Sequence, residues 1–160
     1  MTTSNVDNDI NNDEEIVLTE QTAEQWRRRR RELDTWVNRD KLGRLPKQTM
    51  MLDQVAVDAQ LHKALTIFKE QQIQTEFSCA GVSILDEPED HSLYAYITFL
   101  ASEQTERFIA LAKQQMKHRL LVVFEPGRKR YDLSSFLIGH NRSFCLQIEH
   151  CAELYKLEQG

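Results

Sequence analysis

Leu93-Tyr94-Ala95-Tyr96-Ile97-Thr98-Phe99 is the stretch whose reading decides the fold. Leu93, Ala95, Ile97 and Phe99 alternate with Tyr94, Tyr96 and Thr98, the period of two expected of a strand with one buried face. Ser102 follows as a helix N-cap, and Phe108, Leu111, Ala112 and Met116 recur at helical spacing as far as about His118. Leu120 to Phe124 is a continuous apolar run, the pattern of a strand buried on both faces. Toward the N-terminus, a second alternation sets Ile73, Thr75, Phe77 and Cys79 against Gln74, Glu76 and Ser78, with Gly81 bending the strand before Val82 to Leu85. Leu61, Ala64, Leu65 and Phe68 mark a helix of about 14 residues capped by Asp58, and Thr49 to Val57 reads as a first strand. The order is β-α-β-β-α-β. It predicts an α+β fold with a ferredoxin-like split βαβ core. A further strand over Tyr131 to Ile138 and a last helix capped by Ser143 extend it.

Residues 1–18 read as a disordered acidic tail, residues 19–40 as a basic amphipathic helix, and residues 41–160 as one α+β domain. The helix starts near Thr19 or Thr22 and runs to about Asn38, with Trp26, Leu33 and Val37 as a narrow apolar stripe. Lys41 to Pro46, with Gly43, reads as a linker. The net charge of -5 is unevenly spread over the 160 residues. The first 20 residues hold six acids and no Lys or Arg, which leaves the other 140 at +1. Such composition favours disorder in the tail. No run of about 18 apolar residues occurs, so no membrane span is expected, and no secretory leader is read at the N-terminus. Three widely spaced cysteines, Cys79, Cys145 and Cys151, do not make a disulfide framework and point to free thiols in a cytoplasmic protein.

The candidate sites are two. Tyr94 and Tyr96 share the face opposite Ala95 and Ile97, so they make a platform on which single-stranded bases can stack. Arg27, Arg28, Arg29, Arg30 and Arg31 form one basic cluster; Lys117, Arg119, Arg128, Lys129 and Arg130 form a second. Five arginines without balancing acids repel one another and ask for a partner, either phosphates or the acidic tail that precedes them. Ser92 to Phe99 resembles the RNP1 motif of RNA-recognition-motif domains through Tyr94, Ala95, Tyr96, Ile97 and Phe99. The resemblance implies single-stranded RNA or DNA as partner, with Arg27 to Arg31, Lys129 and Arg130 on phosphates.

The second site is the turn Ser78-Cys79-Ala80-Gly81. A thiol and backbone N–H groups at a strand end can meet an anionic ligand, although Cys79 on the apolar parity reads equally as a buried structural residue. In the context Phe77-Ser78-Cys79-Ala80-Gly81, followed by Tyr96-Ile97-Thr98-Phe99, the turn resembles uncharacterised bacterial and phage proteins with a Phe-Ser-Cys-x-Gly turn. It is also similar to the Ser-Cys-x-Gly signature of the wybutosine-tRNA methyltransferase family, whose Arg after the glycine is Val82 here. These resemblances imply a nucleotide-like small molecule at Ser78, Cys79 and Gly81. The spacing of His140, Cys145, His150 and Cys151 does not suit a metal, and no cofactor motif is present. Glu87, Glu89 and Asp90 read as a solvated acidic turn. The expectation is a non-enzymatic binding protein: first for single-stranded nucleic acid, alternatively for a small molecule, or else an adaptor able to self-associate.

Overall fold

The computed structural model describes residues 14–40, 46–84, 87–88 and 91–160. The expected tail up to residue 13, most of the linker, and the turn residues Glu89 and Asp90 lie outside this set. The described elements are β1 (Ile16–Val17), α1 (Ala23–Asn38), β2 (Thr49–Leu52), β3 (Val55–Asp58), α2 (His62–Glu70), β4 (Thr75–Cys79), β5 (Tyr96–Leu100), α3 (Glu103–Met116), β6 (Leu120–Glu125), β7 (Arg130–Ser135) and α4 (Asn141–Gln159).

The fold is mixed α+β. Five strands form an antiparallel sheet in the order β1-β6-β7-β5-β4, and β2 and β3 form a separate hairpin. This order departs from the expected split βαβ arrangement. The stretch Thr49 to Val57, expected as the central first strand, is not in the sheet at all. Its place between β5 and β6 is taken by β7. The reason is local: Asp53 and Gln54 both adopt positive φ, 46° and 69°, and fold the stretch back on itself as a two-residue hairpin turn. Within the stretch expected as tail, Ile16 and Val17 pair with Phe124 and Val123.

Ala95, Ile97 and Phe99 are buried under the helices, together with Leu120, Val122 and Leu133. Phe68 from α2 and Phe108 from α3 close on Phe99, with ring centroids 5.1 and 5.7 Å away. α4 packs between α2 and α3 and contributes Phe144, Ile148, Cys151 and Tyr155. Ser102 caps α3 as expected, its hydroxyl accepting from the Thr105 N–H. Thr22, of the two expected candidates, caps α1 in a capping box with Gln25. Two expected caps fail. Asp58 precedes a 3-10 turn and turns its carboxylate elsewhere, and α4 starts two residues ahead of Ser143.

Candidate functional site

Both sequence-derived sites sit on the face of the sheet away from α2 to α4, or at its edges. Tyr94 and Tyr96 have different surroundings. α1 crosses the end of the sheet, and the Arg29 guanidinium lies 4.0 Å from the Tyr94 ring centroid. Arg29 Nη1 also donates to the backbone carbonyls of Ser135 and Phe136. Burial lowers the Arg29 pKa from its ordinary value and raises that of Tyr94. Trp26 meets Phe136 edge-on at 5.0 Å, and Trp36 is buried against Val82 and Ile138. Tyr94 is therefore part of the seam that docks α1. Tyr96 stays half-buried on the open face, opposite Cys79 in the β4–β5 ladder.

The five arginines separate in the same way. Arg29 is an internal cation of the fold. Arg27 and Arg31 both pair with Glu24 on the helix surface, at 2.7 and 3.3 Å. Arg28 and Arg30 are exposed and have no ion-pair partner among the described residues. At the far end of the β6–β7 hairpin, Arg130 is held by Glu125 and Glu76 at 3.2 and 3.3 Å, while Lys129 is exposed at a positive φ of 52°. The six residues of β6 separate the two groups by about 20 Å. The expected constellation is thus not brought together: Tyr94, Arg29 and Arg130 are engaged within the protein, and Lys129 is remote from α1.

The Ser78-Gly81 turn is more heavily built than its sequence shows. A bulge between Thr75 and Ser78 places two residues, Glu76 and Phe77, opposite Thr98. The alternation expected for β4 breaks there. Arg130, on the open face, meets Glu76 and lies over the Phe77 ring, while Cys79 pairs with Tyr96 two positions further on. Phe77 is 54% exposed, not buried. The Cys79 sulfur is buried and accepts from the Gly81 and Ser92 N–H groups at 3.4 and 3.2 Å, with Lys47 Nζ 3.6 Å away. Lys47 also pairs with Asp58 at 3.1 Å, and the other Asp58 oxygen accepts from the Ala80 N–H at 2.6 Å. Burial opposes the charge on Lys47, but Asp58 and Cys79 outweigh it and raise its pKa. The cation that Cys79 lacks in its sequence neighbourhood thus arrives from 32 residues away.

Gly81 is required here. Its φ is +76°, and a Cβ would lie 2.4 Å from Asn141 Nδ2 and 2.6 Å from the Ala95 nitrogen. Sequence reasoning missed Asn141. Its buried amide accepts from the Ala95 N–H and donates to the Val82 and Leu93 carbonyls, which locks the turn onto the start of α4. Residue identity gave no signal for this, because an asparagine at a helix start reads as an ordinary cap. Sequence reasoning also misplaced Glu87. It is buried and bonded to Arg39 at 2.6 Å, and Arg39 stacks on Trp36.

Two spaces adjoin the turn. A cleft of about 40 Å³ is lined by Lys47, Asp58, Ala80 and Gly81. On the other side, between β4 and the β2–β3 hairpin, lies a groove of about 830 Å³. Leu52, Val57, Leu65 and Ile73 line it, with Thr75 and Ser78 of β4 along one wall. Val55 and Phe77 at its mouth are 61% and 54% exposed. At the rim Lys69 pairs with Asp53. β4 is the sheet's edge strand, so its outward backbone groups have no ladder partner.

Cys79, Cys145 and Cys151 are free, as expected, and buried. Burial pushes the Cys145 thiol up to about 12 and Cys151 up to about 11. Among the described residues no group of three or more His, Cys, Asp or Glu side chains is placed to hold a metal, and no helix is long and apolar enough to cross a membrane. No protein-family model, curated protein or solved structure matches the chain.

Proposed function

We propose that the protein binds a small molecule in the groove between the β2–β3 hairpin and β4. The observation that carries this reading is the groove itself. Its volume of about 830 Å³ falls within the roughly 300–1,000 Å³ of sites for drug-sized ligands. Its floor is apolar, and polar groups share the lining: Gln74, Thr75, Glu76 and Ser78 along and beside β4, Gln72 next to them, and Asp53 and Lys69 at the rim. The rim charges of Asp53 and Lys69 cancel each other. A neutral, nucleoside-sized molecule with an apolar or aromatic body suits this lining better than a highly charged one. Of the expected small-molecule residues, Ser78 contacts the ligand, while Cys79 and Gly81 hold the strand end in place. The single-stranded nucleic-acid reading has less support, since Arg29 covers one of its two stacking tyrosines.

Thermal-shift measurements with nucleosides, nucleotides, S-adenosylmethionine and neutral apolar metabolites test it. One neutral class raises Tm by several degrees. Ser78→Trp, which fills the groove, removes that shift, whereas Leu146→Trp on the exposed face of α4 keeps it. A wild-type protein that no member of the panel stabilises, or a shift that survives Ser78→Trp, would overturn the assignment.

A further inference from the structure

α1 does more than cover Tyr94: it brings cations from three separate segments to one place. Glu32 accepts from the backbone N–H groups of Ile138 and Gly139, at 2.6 and 3.0 Å, which fixes α1 against the turn that leads into α4. Arg28 lies one turn earlier on the same face of α1, and so stands beside His140. Arg119 reaches the same turn from the segment between α3 and β6, its Nη1 donating to Ser143 Oγ at 3.1 Å. His118 precedes it, and Arg142 is exposed in the first turn of α4. Burial, and then the charges of Arg119 and Arg28 beside it, lower the His140 pKa. The nearby carboxylate, Glu32, has both oxygens committed to backbone N–H groups. No ion pair joins Arg28, Arg119 or Arg142 to a carboxylate among the described residues. α4, 19 residues long, begins here without a side-chain cap, so its dipole adds to the positive field.

We infer that this patch, Arg28, His118, Arg119, His140 and Arg142 at the start of α4, is a binding site for phosphate groups. It differs from the basic surface expected from the sequence. Only Arg28 and Arg119 of the two expected clusters belong to it, and Arg29, Arg130 and Lys129 do not. Glu32 offsets part of this charge, and a phosphate entering beside Arg28, Arg119 and Arg142 relieves the repulsion that remains. The phosphates come either from a nucleic-acid strand or from a free phosphate compound. The site is independent of the groove.

Fluorescence anisotropy with a labelled oligodeoxythymidylate at low salt, with and without competing inorganic phosphate, tests the inference on the full chain. Arg28→Glu with Arg142→Glu changes two exposed residues and weakens binding at least tenfold. It also lowers the salt dependence by roughly 0.7 in log–log slope for each phosphate that the protein no longer neutralises. Arg128→Glu with Lys129→Glu, at the other end of β6 and β7, changes affinity less than twofold, and so does the groove-filling Ser78→Trp. Displacement by millimolar inorganic phosphate identifies the free compound as a sufficient ligand. Retention of the strand identifies a phosphodiester chain. Absence of binding to both probes, or an equal loss from the Arg128 and Lys129 pair, overturns the site.

Discussion

α1 and the β2–β3 hairpin both lie against the rim of the sheet, and they are attached by different means. α1 is fastened along its length. Thr22 starts it, Arg29 and Glu32 bond backbone groups of the Ser135–Gly139 segment, Trp36 is buried, and Arg39 ends in a buried pair with Glu87. The hairpin is fastened mainly at its base, with exposed contacts toward its tip, where Lys69 pairs with Asp53 and His62 Nε2 lies 3.0 Å from the Met51 carbonyl oxygen. Asp58 bonds Lys47 and the Ala80 N–H, while Met51 and Val55 near the tip are 63% and 61% exposed. Charged side chains serve the first element as anchors into backbone groups; the second leaves an apolar space beneath it. A chain can thus place arginines where they read as a binding surface and use one of them as internal structure.

The sharpest way to break the comparison is to cut the α1 anchor. Glu32→Ala leaves the N–H groups of Ile138 and Gly139 without their carboxylate, and hydrogen bonds to a charged acceptor contribute roughly 1.5–3 kcal/mol each. Urea unfolding is expected to show a loss of about 3 kcal/mol, with faster amide exchange throughout α1. An unchanged midpoint would mean that Arg29, Trp36 and Arg39 hold α1 without Glu32. Asp58→Ala cuts the hairpin's anchor, removing both its pair with Lys47 and the bond it accepts from the Ala80 N–H. We expect a loss of about 2 kcal/mol. Native-state hydrogen exchange should then accelerate in β2 and β3 and stay constant in α1.

Asp132 supplies a control on the open face, apart from both anchors. Burial, together with Glu125 and Glu15, raises its pKa from 3.8 to about 6. A carboxyl that holds its proton more tightly when folded contributes stability that is full below about pH 4 and lost as pH rises through about 6. Asp132→Asn is therefore expected to stabilise the protein above pH 7 by up to about 2 kcal/mol, after allowance for solvent screening, and to flatten stability between pH 4 and 7. Unfolding midpoints at pH 5 and pH 8 check this, and a mutant that keeps the wild-type pH dependence contradicts it. The smallest effect belongs to the hairpin tip. Met51→Ser, at an exposed position, should change stability by less than about 0.5 kcal/mol.

Much of the sheet was legible because burial imposes a period on the sequence. Ala95, Ile97 and Phe99 alternate because one face meets α2 and α3, and Leu120 to Val122 are continuous because both faces are covered. The hairpin was not legible. Asp53-Gln54 is not the Asn-Gly or Asp-Gly pair that announces such a turn, and the flanking apolar residues then read as one strand. The bulge at Glu76 and Phe77 escaped for the same reason, since an inserted residue shifts the parity without changing the composition. At the Cys79 turn, Gly81 was visible as a break, but Lys47, Asp58 and Asn141 come from distant segments that only the tertiary fold unites. Among the arginines, identical letters hide different fates: Arg29 faces Tyr94 while Arg28 faces the start of α4.

The bulge has one more consequence. The sheet's two margins are unequal, since β6 is bordered by the short β1 whereas β4 ends the sheet. A straight, apolar margin would invite identical chains to stack strand upon strand into fibrils. The doubled position at Glu76 and Phe77 kinks that margin and sets a carboxylate on it, so molecules cannot zip together along it. Deleting Phe77 would restore the regular pleat and leave the Glu76 carboxylate as the remaining guard on that margin.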